Sequence, residues 1–224
     1  MPTPRFPAGA ASAGIQIDIV ADVVCPWCII GFLQLRRALS RTGHAARLRW
    51  HPFELNPEMP PGGERLRDHV IRRYGITGAD HEKLRTRLTA LGRELGFSFA
   101  FRDDSRIVNS FAAHQLLDWA EGKGRQHDLK LALFHAYFSR GADVSDPAVL
   151  EQAAVTAGLD GKAARAALEH GAHAPFVRNK QAQWAARGVH GVPAMVFDRK
   201  YMVSGAQGID GYRAVLNRVA ATAG

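Results

Sequence analysis

The stretch Asp22-Val23-Val24-Cys25-Pro26-Trp27-Cys28 constrains this chain more than any other. It holds both cysteines of a 224-residue sequence. An apolar run from Ile15 to Val24 leads in, and a helical pattern from Ile29 to Leu39 leads out. A strand that turns directly into a helix leaves Cys25 at the helix entrance, where backbone N–H groups lack partners and the dipole is positive. A cysteine in that setting ionises at roughly 3.5–7.5, against ~8.5 for a free one. Cys25 is therefore expected to be the exposed, attacking thiolate, and Cys28, one turn on, the inward-facing resolver.

Competing uses of the pair fit less well. A zinc site needs four ligands, and one CxxC supplies half of them. The ten histidines are scattered, none with a partner at metal-knuckle spacing, so no metal is expected. Covalent haem would need histidine at position 29, which is Ile29. Two inert buried cysteines are the remaining alternative to redox use.

Apolar residues make up 46% of the chain, enough for a substantial core, and the formal charge is +8. The basic residues form no single block: Arg36, Arg37, Arg65, Arg67, Arg85 and Arg87 lie apart, many of the arginines alternating with acids as on solvated helix faces. That pattern argues against a nucleic-acid groove. No stretch approaches the ~20 apolar residues of a membrane span, and Met1 to Gly14 lacks an apolar signal core. Neither nucleic acid nor membrane is expected as a partner, and the cytoplasm is the expected compartment. There a lasting structural disulfide is disfavoured while a catalytic one is not.

Along the chain, Ile15 to Ala21 alternates as a strand with one apolar face, leaving Asp18 and Asp22 on the other. The preferred expectation is that these acids reach solvent at the strand ends; the alternative sets Asp22 behind the cysteines as a proton acceptor for Cys28. A helix from Pro26 to Arg41 follows, then a strand over Arg47–Phe53. Residues from Glu64 to about Ala174 read as helical, and Pro175–Arg187 as one more helix. A hairpin, Ala194–Phe197 with Tyr201–Val203, and a helix from Ile209 to Ala221 close the chain. Strand-helix-strand, then helices, then hairpin-helix predicts an α/β chain with a thioredoxin-like fold. A large all-helical insertion separates its second and third strands. The expected division is a flexible lead-in (1–14), a thioredoxin-like unit (15–62 with 176–224) and an inserted helical unit (63–175).

These features resemble the DsbA family of thiol–disulfide oxidoreductases, in particular its FrnE-like branch. The resemblance rests on D-V-V-C-P-W-C, the Asp103–Ala120 segment with Asn109 and His114, G-V-x-G-V-P before the hairpin, and S-G-A-Q at Ser204–Gln207. It implies catalysis by Cys25 and Cys28, and a cis proline at Pro193 whose preceding backbone, at Val192, holds substrate. Read locally, Pro193 is equally edge-strand punctuation. Pro26 and Trp27 complete the expected substrate rim, although Trp27 is as readily a packing residue. Asp22, Asn109, His114 and His190 are candidates for tuning the thiols or lining the pocket. Asn109 and His114 are expected on one helix, Ser105–Glu121, with an ordinary structural role as the alternative. The expected partners are protein or small-molecule thiols and disulfides. No cofactor is implied beyond a Cys25–Cys28 disulfide, with glutathione as a co-substrate. The kappa glutathione transferases and 2-hydroxychromene-2-carboxylate isomerases resemble the layout too, typically with serine at the position of Cys25. They give the alternative function, a glutathione-dependent transferase or isomerase.

Overall fold

Isoleucines at 15, 17 and 19 alternate with Gln16 and Asp18, and Ile15–Ala21 forms strand β1, because branched side chains suit the pleated backbone. The computed structural model describes residues 14–222. The flexible lead-in expected over 1–14 lies, apart from Gly14, outside the described residues. Helix α1 (Pro26–Thr42) starts with a proline whose missing N–H is no loss in a first turn. It ends where Gly43, at φ 71°, takes the left-handed conformation and donates its N–H to the Leu39 carbonyl.

Strand β2 (Ala46–Pro52) returns parallel to β1, with Ile15 opposite Ala46 and Ala21 opposite Pro52. The chain then leaves the sheet. Between the sheet's halves come β3 (Glu64–Arg65), α2 (Leu66–Tyr74), α3 (Gly78–Leu95) and β4 (Arg106–Ile107). Next are α4 (Phe111–Glu121), α5 (Gln126–Phe134), a π-helical turn (His135–Ser139), α6 (Pro147–Thr156), α7 (Gly161–His170) and α8 (Ala174–Ala186). The sheet resumes with β5 (Ala194–Phe197), antiparallel to β1 with Ile17 opposite Phe197, and β6 (Tyr201–Ser204). Helix α9 (Gly208–Thr222) closes the chain. The strand order β2-β1-β5-β6 puts β1 inside the sheet.

The insertion carries a feature its helical periodicity did not disclose: β3 and β4 form a two-stranded ribbon, with Glu64 opposite Ile107. This ribbon also corrects the expected Ser105–Glu121 helix. Residues 106–107 are extended because they pair with β3, and the Ser105 carbonyl accepts the Leu66 N–H at 2.8 Å. The helix therefore starts only at Phe111, leaving Asn109 before it.

Ile15, Ile17, Ile19 and Ala21 belong to one apolar cluster with Phe32 and Leu35 of α1 and Tyr212 and Leu216 of α9. The same cluster continues without a break through Leu116, Leu129, Phe134 and Leu150 of the insertion. On the opposite face, Val20, Ala194 and Val196 pack with Trp184 of α8 and Val189. No helix among the described residues is long and apolar enough to cross a membrane.

Truncating a fully buried side chain on the central strand tests this core. Ile17→Ala should cost about 2–5 kcal/mol, the range for losing buried methyl groups and leaving a cavity. The expected readout is a lower urea midpoint at an unchanged m-value.

Candidate active site

The end of β1 and the start of α1 place the two sulfurs. Cys25 is the N-cap of α1 in extended conformation (φ −92°, ψ 112°), and its carbonyl accepts the Cys28 N–H at 3.1 Å. Both cysteines are free thiols. Cys28 is wholly buried, which pushes its thiol well above the ordinary value; the neighbouring Cys25 adds to this. The charge of Lys130 and the backbone N–H of Asp22 oppose that shift. Cys25 is only 3% exposed, so the exposed sulfur expected from sequence is instead sheltered. The shelter is the Val192–Pro193 loop: the Cys25 thiol donates to the Val192 carbonyl at 3.9 Å, and the peptide bond between Val192 and Pro193 is cis. Pro26, Trp27 and Val192, neighbours of Cys25 in the chain and the loop, are half-buried.

Asp22 does not reach solvent. Its side chain is 0% exposed. The solvent-facing expectation fails for Asp18 as well, which is buried and bonded to His51 at 2.7 Å. The reason is the same in both cases: each carboxylate finds donors inside. For Asp22 these are the Leu55 N–H at 2.7 Å, His114 Nε2 at 3.2 Å and the Ser110 hydroxyl. Burial alone would raise the Asp22 carboxyl, but His114, Leu55 and Ser110 outweigh it and hold the group below its ordinary 3.8. An acid held ionised in this way is a fixed negative charge beneath the thiols and a weak proton acceptor.

His114 is buried on α4 with Asp22 as its partner. Asn109 plays a local part: its Oδ1 accepts the Phe111 N–H at 2.8 Å, capping α4, and its Nδ2 donates to the Met59 carbonyl at 3.4 Å. His190 is exposed, two residues from Val192, and makes no hydrogen bond to the cysteines. Trp27 lies under the guanidinium of Arg87 from α3, 5.3 Å from the ring centroid.

Four residues that sequence reasoning passed over complete the site. Ser110 bonds Asp22. Gly31 lets α1 approach the loop, since a Cβ there would stand 3.2 Å from Pro193 Cγ and 3.3 Å from the Tyr212 hydroxyl. Tyr212 donates to the Gly205 carbonyl at 3.1 Å, and Gly205 donates its N–H to the Pro193 carbonyl at 2.7 Å, so α9 and the Ser204–Gln207 loop brace Pro193. Lys130 of α5 is 1% exposed and donates to the Ala21 carbonyl at 3.2 Å. Its one sequence signal is position: Leu133 and Phe134 lie three and four residues on, so the lysine interrupts an apolar stripe.

Residues 16–217 match the family described as DSBA-like thioredoxin domain. The chain belongs to that family. Among solved structures it resembles the probable DsbA oxidoreductase SCO1869 from Streptomyces coelicolor, 29% identical, with 92% of this chain and 90% of that one covered at a TM-score of 0.86. The cytosolic disulfide reductase DsbM from Pseudomonas aeruginosa, in a structure with GSH, shares the fold at 18% identity, covering 91% and 98% of the two chains at a TM-score of 0.62. The uncharacterized protein YwbO of Bacillus subtilis is 25% identical over 155 residues, 69% of this chain and 72% of its own length.

Two outcomes follow from the geometry. Because its carboxyl titrates below 3.8, Asp22 adds stability that is complete above that value and fades as pH falls through the folded-state value. Asp22→Asn should cost about 1–3 kcal/mol at neutral pH and show a flatter loss on acidification than the parent, read by urea unfolding. Gly31→Ala gains helix propensity of about 1 kcal/mol against overpacking of about 1–3 kcal/mol. Stability should therefore move little. Displacing Pro193 should instead slow exchange with a small disulfide about ten- to a hundredfold, the penalty for misplacing reacting groups by fractions of an ångström.

Proposed function

We propose that this DsbA-family chain is a thiol–disulfide oxidoreductase of the FrnE-like branch, exchanging disulfides with protein or low-molecular-weight thiols through Cys25 and Cys28. The observation that carries this reading is the Cys25 sulfur at the first turn of α1, 3.9 Å from the Val192 carbonyl, with Cys28 beside it on the same turn. A peptide laid along Val192 meets the sulfur edge-on, and Pro26, Trp27 and Pro193 bound the approach.

Exchange then runs as follows. The Cys25 thiolate attacks one sulfur of a substrate disulfide, and the other sulfur leaves and takes up a proton. Cys28 loses its proton, attacks the Cys25 sulfur and breaks the mixed bond, and the second substrate thiol departs. Two electrons pass from the dithiol to the substrate, and the reverse sequence oxidises a dithiol. Beyond the Cys25–Cys28 disulfide no cofactor enters. Glutathione is the recycling co-substrate in this reading, in the cytoplasm, a choice supported by the fold shared with the cytosolic disulfide reductase DsbM and its GSH-containing structure. Residues 15–62 and 176–224 form the thioredoxin-like unit and 63–175 the inserted unit.

Insulin reduction by dithiothreitol with the protein as catalyst tests the proposal. Activity is expected to fall to background in Cys25→Ser, while Cys28→Ser should accumulate a mixed disulfide on Cys25 detectable by intact mass. Turnover that survives Cys28→Ser and requires glutathione would replace this function with the transferase or isomerase alternative.

A further inference from the structure

Lys130 belongs to none of the steps above, yet it is placed beneath them. Its side chain descends from α5 into the core, and its ammonium donates to the carbonyl of Ala21, the residue before Asp22. Asp22 in turn supplies the carbonyl that accepts the Cys25 N–H at 3.4 Å. The rings of Trp50 and Phe134 lie 5.4 and 5.1 Å from Nζ, so the cation rests among aromatic faces and one carbonyl. A buried ammonium without a paired anion is costly, and the groups able to carry negative charge that act on this one belong to the active-site turn: Cys28, Asp22 and Cys25. A narrow crevice beside it, of about 10 Å³, is bordered by His51 of β2, His114 and Asp118 of α4, and Lys180 of α8. The elements packed around the amine carry further titratable groups: His127 of α5, whose Nδ1 lies 3.1 Å from Trp50 Nε1, Asp18 of β1, Arg49 of β2 and Glu121 of α4, the last two paired with each other, and the buried Tyr137 of the π-helical turn. Asp118 and Lys180 are paired with each other at 2.7 Å, and His51 and His114 with Asp18 and Asp22.

We propose that Lys130 is the charge partner of the thiol pair, a positioning residue supplied by the helical insertion that favours the dithiol over the disulfide. The protonation of this amine and the redox state of the pair are then one coupled equilibrium. The inference rests on the oxidoreductase reading for its purpose, not for its physics. Asp22 contributes a negative charge in both redox states. The cysteines contribute one only when reduced, so reduction strengthens the attraction that Lys130 feels. Burial lowers the amine to about 8, with Cys28, Asp22 and Cys25 pulling it back up, so its titration falls in an accessible range. In the resolving step, the proton of Cys28 ends on the departing substrate thiolate. Lys130 remains protonated and offsets the negative charge that appears on the Cys28 sulfur before it bonds to Cys25.

The test compares Lys130→Met, which keeps length and loses charge, with Lys130→Arg, which keeps charge. In Lys130→Met the thiolate absorbance of the reduced protein should titrate about one pH unit higher, and the equilibrium with glutathione should move about tenfold toward the disulfide. Lys130→Arg should stay near the parent in both. A folded Lys130→Met with unchanged thiolate titration and unchanged glutathione equilibrium overturns the proposal. Should the methionine variant not fold, the parent protein with ¹⁵N-labelled lysine decides. Reciprocity requires the Lys130 amine to titrate higher in the dithiol than in the disulfide form, and equal midpoints overturn the proposal. The thiolate titration and the lysine titration use no substrate. A chain that shows these shifts but reduces no insulin would sink the proposed function and leave the coupling standing.

Discussion

Sulfur atoms that gain and lose charge in a dry interior set the terms for everything around them. A thiolate withdrawn from water needs compensation from fixed dipoles or counter-charges, and this fold gathers both at one turn. The N-terminus of α1 faces Cys25, the Asp22 N–H faces Cys28, and the Lys130 ammonium stands beneath. Asp22 is the exception, a second negative charge in the same place, and it is tolerated because Leu55, His114 and Ser110 satisfy it. The site is thus a small cluster of alternating charge whose balance depends on whether the sulfurs are joined.

The scaffold explains how four distant segments converge there. Strand β1 lies inside the sheet, so its C-terminal end is flanked by β2 on one side and β5 on the other. The Val192–Pro193 loop enters β5 directly and therefore arrives over Cys25. Helix α9, packed along α1, braces that loop through Tyr212 and Gly205. The insertion closes the site from below with α4 and α5, and its side chains share the sheet's apolar cluster. It serves as part of the active-site floor.

Much of this was legible before any coordinates. The strand-turn-helix around Cys25 follows from local rules, and the closing hairpin from its alternation and turn, so the elements fall within a residue or two of expectation. Asn109 was misplaced because a two-residue ribbon, set by pairing with β3 some forty residues away, overrode helical periodicity. The burial of Asp18 and Asp22 was also hidden: an acid on a strand reads as a surface residue unless its donors, here on β2, the Leu55 segment and α4, are known. Gly31 and Tyr212 carry no sequence signal of their own, since one is an absence of bulk and the other an ordinary apolar helix position. Lys130 broke an apolar stripe, a conflict between local pattern and residue type of the kind that accompanies function.

Cys25 and Val192 stand 167 positions apart in the chain. At the usual pace of translation, about 5–20 residues per second, on the order of ten to thirty seconds separate the emergence of the two. Throughout that interval the nascent dithiol has neither the loop that shelters it nor the lysine-bearing helix for the first two-thirds of the wait. A newborn chain therefore carries its sulfur pair uncovered until the last strands arrive.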